Sequence, residues 1–450
     1  MSELGHEAVP VPSPGRPGTG LRRDSIVRLL ATVAAAGFGL GSGIVVARNI
    51  GPVGKGTVSM LDFTASLAGA TASLGLAEAS ITMVRRHGVD ARTAVWTSLV
   101  AIAPASVLGA IGFVIASQLA YGDRWSQQRG TVMAATVIVP LSAIGRVLAG
   151  AVDAQQRVAW SSLARGVEAA VTFVMTVLAI AVVGTNAVGA LVAIAIGWAV
   201  SIALLVGCLI AWGPLRRPRR PSLGFIRDAM RYAAPIQATV ILIAVAGRID
   251  LLPVQAIAGP ASAGHYSVAL TIAQVSMFPA LALSVAAYPR QSSAHSQDWL
   301  DLSEHVTRKA VAAATITSVI AIASAPAVIP ALFGDRFSRA TGPAMILCGA
   351  AVLSAAQIVL GRSRAAAGHP SDLLVSFSTS VIVMLVGDYL LIRRFGIEGA
   401  AIASLVSSAT GLAVILAAYR RAFGPAFHPT QVLPRLADFT ELAAVVHRRS

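Results

Sequence analysis

The sequence contains few charged residues, and this shortage excludes an ordinary soluble protein. Asp, Glu, Lys and Arg make up 12% of the 450 residues, whereas 56% are hydrophobic. Soluble domains carry about 25% charged residues, which cover their surfaces in water. Cysteine is also scarce: Cys208 and Cys348 both lie in apolar segments, so we expect neither a disulfide framework nor a cysteine metal site.

Long apolar runs fill most of the chain. Runs near or above the ~20 residues that cross a bilayer predict helices, since backbone groups in lipid must be satisfied within the segment. We predict an all-α polytopic membrane protein of about twelve transmembrane helices. The predicted spans are residues 25–47, 57–84, 93–119, 130–152, 160–183, 188–212, 226–257, 264–289, 306–330, 340–366, 371–392 and 397–420.

The basic residues indicate the orientation of these spans. If the N-terminus is cytoplasmic, inside segments hold 24 Lys and Arg residues and outside loops, including Arg48 and Lys55, hold 8. This bias predicts that both termini are cytoplasmic. It also accounts for the formal net charge of +15 without a nucleic-acid partner.

Three short motifs recur in the same order. "GPVGKG" at 51–56 returns as "GPASAG" at 259–264, "GRVLAG" at 145–150 as "GRSRAAAG" at 361–368, and Gly189 matches Gly399. The offsets of 208 to 216 residues predict two parallel six-helix repeats around a central cleft, the architecture of an alternating-access transporter. The predicted division is a disordered cytoplasmic tail (1–24), an N-terminal bundle (25–212), a basic cytoplasmic linker (213–224), a C-terminal bundle (225–420) and a cytoplasmic tail (421–450).

The glycines around Lys55 invite comparison with a phosphate-binding loop. A P-loop needs four residues between its first glycine and the Gly-Lys pair, and Gly51 and Gly54 are separated by two. The second copy also lacks the lysine. The motif is therefore interpreted as a tight turn on the outer face, and ATP hydrolysis is not expected.

Four stretches carry a family resemblance: "ARNIGPVGKGTVSML", "SLGLAEASI", "AGHYSVALTIAQVSMFPALALSVAAYPRQS" and "ALFGDRFSRATGPAMIL". With these stretches the chain resembles polysaccharide-biosynthesis flippases of the multidrug/oligosaccharidyl-lipid/polysaccharide exporter superfamily. The resemblance implies a flippase in the bacterial cytoplasmic membrane that moves an undecaprenyl-pyrophosphate-linked oligosaccharide to the outer leaflet. It also implies membrane lipids as surroundings, and a polysaccharide polymerase or glycosyltransferases as partners.

Three alternatives to this function can be weighed from the sequence. "LAEASI" is similar to a stretch of lipid II flippases, although those usually have fourteen spans. A multidrug or cation antiporter of the same superfamily predicts a cleft dominated by acidic residues. A membrane-embedded glycosyltransferase needs a large outer loop, and the longest predicted here has about ten residues, so we expect no enzyme.

Four arginines are candidates for substrate binding, because guanidinium binds phosphate oxygens bidentately. Arg248 lies inside a span, Arg146 and Arg165 lie near cytoplasmic ends of spans, and Arg48 lies at the predicted outer mouth. The alternative roles are structural charge pairing for Arg248 and anchoring at lipid headgroups for Arg146 and Arg165.

Four carboxylates are candidates for coupling transport to an ion. A buried carboxyl group can carry a proton or bind Na⁺. The candidates are Asp62, Glu78, Asp250 and Asp388, whereas Glu168 is placed to pair with Arg165 three residues earlier. No other cofactor and no metal site are expected.

Overall fold

The computed structural model describes residues 19–447 except 87, 185, 217–219 and 292–295. No strand occurs within these described ranges. The α-helices are α1 (Thr19–Ala72), α2 (Leu76–Arg86), α3 (Ala91–Tyr121), α4 (Trp125–Thr136), α5 (Ile138–Ala154), α6 (Val158–Val183), α7 (Ala187–Ala211), α8 (Leu223–Ala246), α9 (Leu251–Ala258), α10 (Pro260–Gln291), α11 (Ser296–Phe333), α12 (Thr341–Ala366), α13 (Pro370–Phe423) and α14 (Leu436–His447).

Nine helical segments of the described chain are long and apolar enough to span a membrane, and a bent segment from Gly224 to Ala246 is a tenth candidate. Two of the nine overlap with the helices α1 and α13, each of 54 residues. At 1.5 Å per residue, a straight helix of this length is about 80 Å long, far more than the ~30 Å hydrocarbon core. These two helices must therefore bend back or leave the bilayer.

Glycines in a left-handed backbone conformation divide both long helices. Gly51 in α1 has φ 74°, and Gly396 in α13 has φ 59°. In α13 a Cβ on Gly387 would lie 2.9 Å from the Ala403 Cβ, so the two arms pack side by side as a hairpin. Twelve spans result only if each long helix is counted as two, and the number twelve stays a prediction.

Two predicted spans are interrupted. The span predicted at 57–84 breaks between α1 and α2, where Leu74 (φ 53°) and Gly75 (φ 69°) are left-handed. The Gln237 amide nitrogen donates to the Ala70 carbonyl at this break, at 2.6 Å. The span predicted at 226–257 breaks at the turn 247–250 between α8 and α9. Each of these predicted spans is therefore made of two helices.

The two Gly-Pro motifs pack directly against each other. Gly51 (φ 74°) and Gly259 (φ 88°) make the predicted turns. A helical segment begins directly after each of them, at Pro52 and at Pro260. The last glycine of each motif allows a close contact, because a Cβ on Gly56 would collide with Pro260 and one on Gly264 would collide with Pro52. We call this end of the molecule the Gly51 end.

The predicted tails are only partly described. Residues 1–18, most of the predicted disordered tail, lie outside the described residues, as do 217–219 of the basic linker. Within the C-terminal tail, α14 is held against α11 by ion pairs from Arg308 to Asp438 (3.3 Å) and from Lys309 to Glu441 (2.9 Å). The hydrogen bond from Lys309 lowers the pKa of Glu441. The domain boundaries stay a prediction.

Candidate functional site

A central cavity of about 430 Å³ lies among α1, α6, α7, α10 and the turn between α8 and α9. Its lining therefore comes from both predicted halves of the chain. Many of the lining side chains carry hydroxyl or amide groups: Ser42, Ser59, Ser66, Thr172, Thr176, Ser267, Thr271 and Gln274. A cavity of this size, with a few polar groups in a largely apolar lining, is typical of a ligand-binding site.

Two cationic side chains line the cavity, Lys55 and Arg248. Arg248 lies on the α8–α9 turn, and its Nη2 donates to Gln274 Oε1 on α10 at 3.1 Å. Lys55 was predicted in an outer loop, and that prediction was wrong. Because helix resumes at Pro52, directly after the Gly51 break, Lys55 lies on the second arm of α1 and lines the cavity.

Two carboxylates share the cavity with these cations. Asp62 lies seven residues after Lys55 and therefore on the same helix face. Glu168 lines the cavity from α6, although the sequence favoured a local pair with Arg165. The two formal negative charges balance the two positive ones, so the lining is mixed in charge rather than only basic.

Arg146, Arg165 and Glu78 form a second charged group outside this lining. Arg146 on α5 is close enough to Glu78, Glu168 and Arg165 for their charges to interact. Arg146 Nε and Glu78 Oε2 are buried and have no hydrogen-bond partner among the described residues. Arg165 is exposed, and its Nη2 lies 3.5 Å from Ser162 Oγ.

Arg48 lies apart from both groups, at the Gly51 end. Its Nε donates to the Leu332 carbonyl at 2.8 Å, and its Nη2 donates to the Ala331 carbonyl. These are among the last carbonyls of α11, which have no partner within that helix. Arg48 therefore joins α1 to the C-terminal half of the chain.

Asp250 and Asp388 come together in the C-terminal half. Asp250 is 2% exposed, and its Oδ2 accepts from the Tyr266 hydroxyl at 2.6 Å and from Ser404 Oγ at 3.1 Å. It lines a second cavity of about 340 Å³ among α8, α10, α12 and α13. Asp388 is fully buried and near enough to interact with the Asp250 charge, and neither of its oxygens has a partner within the described chain.

The candidate residues therefore separate into distinct places. Arg248 and Asp62 line the central cavity, whereas Asp250 lines the second cavity and Asp388 is near enough to interact with its charge. Arg146, Arg165 and Glu78 lie together, and Arg48 lies apart at the Gly51 end. Sequence reasoning missed Lys55, Gln274 and Tyr266. The signal for Lys55 was available: Pro commonly occupies the first position of a helix, which places Lys55 within the first turn.

Comparison with known proteins agrees with this architecture. The sequence profile of the polysaccharide biosynthesis protein family matches residues 21–295. A probable low-salt glycan biosynthesis flippase, Agl15 of Haloferax volcanii, is 25% identical over 150 residues, which are 32% of each chain. The match thus spans about a third of the length of that relative.

Solved transporter structures share the fold. The lipid II flippase MurJ in an inward closed conformation aligns with a TM-score of 0.72 at 10% identity, over 93% of this chain and 90% of that one. An inward-facing multidrug resistance MATE family transporter of the MOP superfamily aligns with a TM-score of 0.67 at 17% identity, over 88% and 98%. The chain therefore belongs to the polysaccharide biosynthesis protein family and is a multi-pass membrane protein with the fold of MOP superfamily transporters.

Proposed function

We propose that this protein is a flippase that moves an undecaprenyl-pyrophosphate-linked oligosaccharide from the inner to the outer leaflet of a bacterial cytoplasmic membrane by alternating access. The observation that carries the proposal is the pair of cations, Lys55 and Arg248, in a cavity that is lined by both halves of the chain and contains several hydroxyl and amide groups. A diphosphate is the part of such a lipid that needs cationic partners in a membrane.

The charges of the cavity suggest how the headgroup binds. Asp62 and Glu168 offset the charges of Lys55 and Arg248 when the cavity holds no substrate. An entering diphosphate takes over the two cations, and Arg248 presents a planar fork of donors that matches two phosphate oxygens. Gln274 holds this guanidinium through its side-chain carbonyl and so fixes its orientation.

The polyprenyl tail has a path into lipid. Gly39 on α1 and Phe278 on α10 both line the cavity and are exposed, Phe278 to 43%. We place the tail between these two helices, where it stays in the bilayer while the headgroup occupies the cavity. Arg146 and Arg165, beyond the cavity lining, are the proposed first contact of the diphosphate on its way in.

The direction of lipid transport follows from the predicted orientation of the protein, in which the Gly51 end is outside and both termini are cytoplasmic. The contact of the two Gly-Pro motifs and the Arg48 hydrogen bonds then close the outer side. Separation of these contacts would expose the headgroup to the outer leaflet. An outward-moving anion gains about 2.3 kcal/mol per charge per 100 mV from a negative interior.

We assign ion coupling first to Asp250 and Asp388, with Asp62 and Glu78 as further candidates. Two neighbouring carboxylates in a dry site disfavour double ionisation, so a bound H⁺ or Na⁺ stabilises the pair. The two side-chain oxygens of Asp388, which have no hydrogen-bond partner within the described part of the chain, provide ligands for such a cation. Enzymes that build or polymerise the glycan are the proposed functional partners.

Binding to the purified protein tests this proposal. Native mass spectrometry with undecaprenyl diphosphate carrying one disaccharide should give a complex with the wild type and a much weaker one with Arg248→Gln or Lys55→Gln. Arg394→Gln, which removes an exposed arginine of α13, is the matched control. Equal binding by all variants, or binding of a cationic dye instead of the lipid, contradicts the proposal and favours a multidrug antiporter.

A further inference from the structure

The central cavity contains a large aromatic ring that the binding of a diphosphate does not use. Trp198 on α7 lines the cavity, and the Cζ3–Cε3 edge of its indole rests on Gly145 of α5. A Cβ on Gly145 would lie 2.7 Å from Cζ3, so only glycine leaves this ring its present place. The position of Trp198 is therefore fixed by a neighbouring helix rather than by its own helix alone.

Hydrogen-bonding groups line the cavity near this ring. Thr172 and Glu168, on α6, line the cavity, and α6 approaches α7 so closely at Thr172 that Gly197 has no room for a Cβ. Gly197 precedes Trp198 in sequence, so the hydroxyl and the indole come from adjoining parts of one wall. The cations Lys55 and Arg248 come from other elements, α1 and the α8–α9 turn.

We infer that Trp198 is the platform on which the first sugar rings of the lipid-linked substrate stack, with Thr172 and Glu168 accepting hydrogen bonds from sugar hydroxyls. This inference rests on the proposed function and deepens it by assigning sugar recognition to a different wall from phosphate recognition. One face of a pyranose ring is covered by C–H groups with a slight positive charge. Such a face stacks on the negative π face of an aromatic ring, and indole offers the largest one.

Trp198 thus makes the cavity prefer a glycosylated lipid diphosphate over one without sugar. A lipid diphosphate without sugar uses the two cations only, whereas a glycosylated one uses the cations and the indole. A tryptophan that merely filled space would affect both lipids equally, since its loss would disturb the cavity as a whole. The ratio of the two affinities separates these roles.

The test compares two ligands on each variant: undecaprenyl diphosphate with one disaccharide and undecaprenyl diphosphate without sugar, by native mass spectrometry or direct binding. We expect Trp198→Leu to lose about five- to tenfold in affinity for the glycosylated lipid, the size of an aromatic stacking interaction. Its affinity for the bare diphosphate should stay within about twofold of wild type. Trp198→Phe, which keeps an aromatic face and a similar shape, should retain most of the preference.

Each outcome decides the matter. An equal loss for both lipids in Trp198→Leu, or no loss for either, overturns the inference while the proposed function stands. The proposed function itself fails if the wild type binds neither lipid, or if Arg248→Gln binds both lipids as tightly as the wild type does. If Trp198→Leu does not fold, Gly145→Ala provides the second variant, because its methyl group displaces the ring and should lower the same affinity ratio.

Discussion

Gly56 and Pro260 touch across the two halves of the chain, and the reverse contact between Gly264 and Pro52 repeats it. The four residues belong to two copies of one motif, 208 residues apart. A reciprocal contact between equivalent residues is what a twofold axis between the repeats produces, since each copy then meets the other with the same surface. Backbone against backbone, with no side chain between them, allows the halves to close tightly at the Gly51 end.

This contact predicts that a methyl group at either glycine opens the Gly51 end. Gly56→Ala and Gly264→Ala force apart backbone atoms that now touch, at a cost of about 1–3 kcal/mol, which shifts the closed population about 5- to 150-fold. The reporter is Ser59→Cys in the cavity lining, in a chain whose Cys208 and Cys348 are replaced by Ser. Labelling by an impermeant maleimide from the outer side should rise.

Gly207→Ala is the control, since nothing lies within 4 Å of a Cβ at that position. Its labelling should match that of the parent. Unchanged labelling of Gly56→Ala and Gly264→Ala would show that the Gly-Pro contact does not hold this end closed.

Arg48 is expected to stabilise the same closed end. Arg48→Gln removes the charged donors from the last carbonyls of α11, a change of about 1 kcal/mol at an exposed site. Labelling at Ser59→Cys should rise, but by less than in the glycine variants, while affinity for the lipid diphosphate stays near wild type. A large loss of lipid affinity with unchanged labelling would instead support the sequence-based assignment of Arg48 to substrate binding.

Asp388 should determine the ion dependence of transport. Asp388→Asn replaces a fully buried carboxyl group whose oxygens lack hydrogen-bond partners within the described chain, so we expect no loss of thermal stability. A Na⁺ or H⁺ gradient should then stimulate transport about 5- to 150-fold less than in the wild type. This range corresponds to the coupling free energies that are typical between two sites of a protein. Asp372→Asn, which disrupts the ion pair with Arg364 at 2.7 Å, provides a comparison; retained gradient dependence in Asp388→Asn would exclude the assignment.

The break between α1 and α2 should be a weak point for stability. Gly75 has φ 69°, and a Cβ there would lie 2.9 Å from the Ala233 Cβ, so Gly75→Ala adds a clash to about 1–2 kcal/mol of left-handed strain. Gln237→Ala should cost about 1 kcal/mol through the lost hydrogen bond to Ala70. Thermal unfolding of the purified variants measures both, and melting temperatures equal to wild type would refute the expectation.

Apolar length made the overall fold class predictable, because the bilayer allows only a few ways to bury so much hydrophobic surface. The repeat of the Gly-Pro motif predicted a pair of equivalent turns, and Gly51 and Gly259 make them. The mutual contact of Gly56 and Gly264 was not predictable, since close approach between distant segments leaves no periodic pattern. The break at Leu74 and Gly75 was not predicted, although Ser73 and Gly75 flank Leu74 in the sequence.

The candidate site was predictable only in part. Arg248 and Asp250 are only two residues apart in the sequence, yet they line different cavities. The proximity of Asp250 to Asp388 could not be predicted without the fold, because the two residues lie 138 positions apart in the sequence. Lys55 was missed because glycines and proline around it suggested a loop rather than the start of a helix.

Translocation in proteoliposomes tests the central claim most directly. Undecaprenyl diphosphate bearing a fluorescent disaccharide is incorporated with the protein, and an impermeant quencher reports how much of it faces the outside. We predict transfer by the wild type and by Arg394→Gln, and a rate about 10- to 100-fold lower in Arg248→Gln, the loss expected from one charge-assisted hydrogen-bonding partner. Transfer by Arg248→Gln at the wild-type rate, or none by the wild type, would contradict the account.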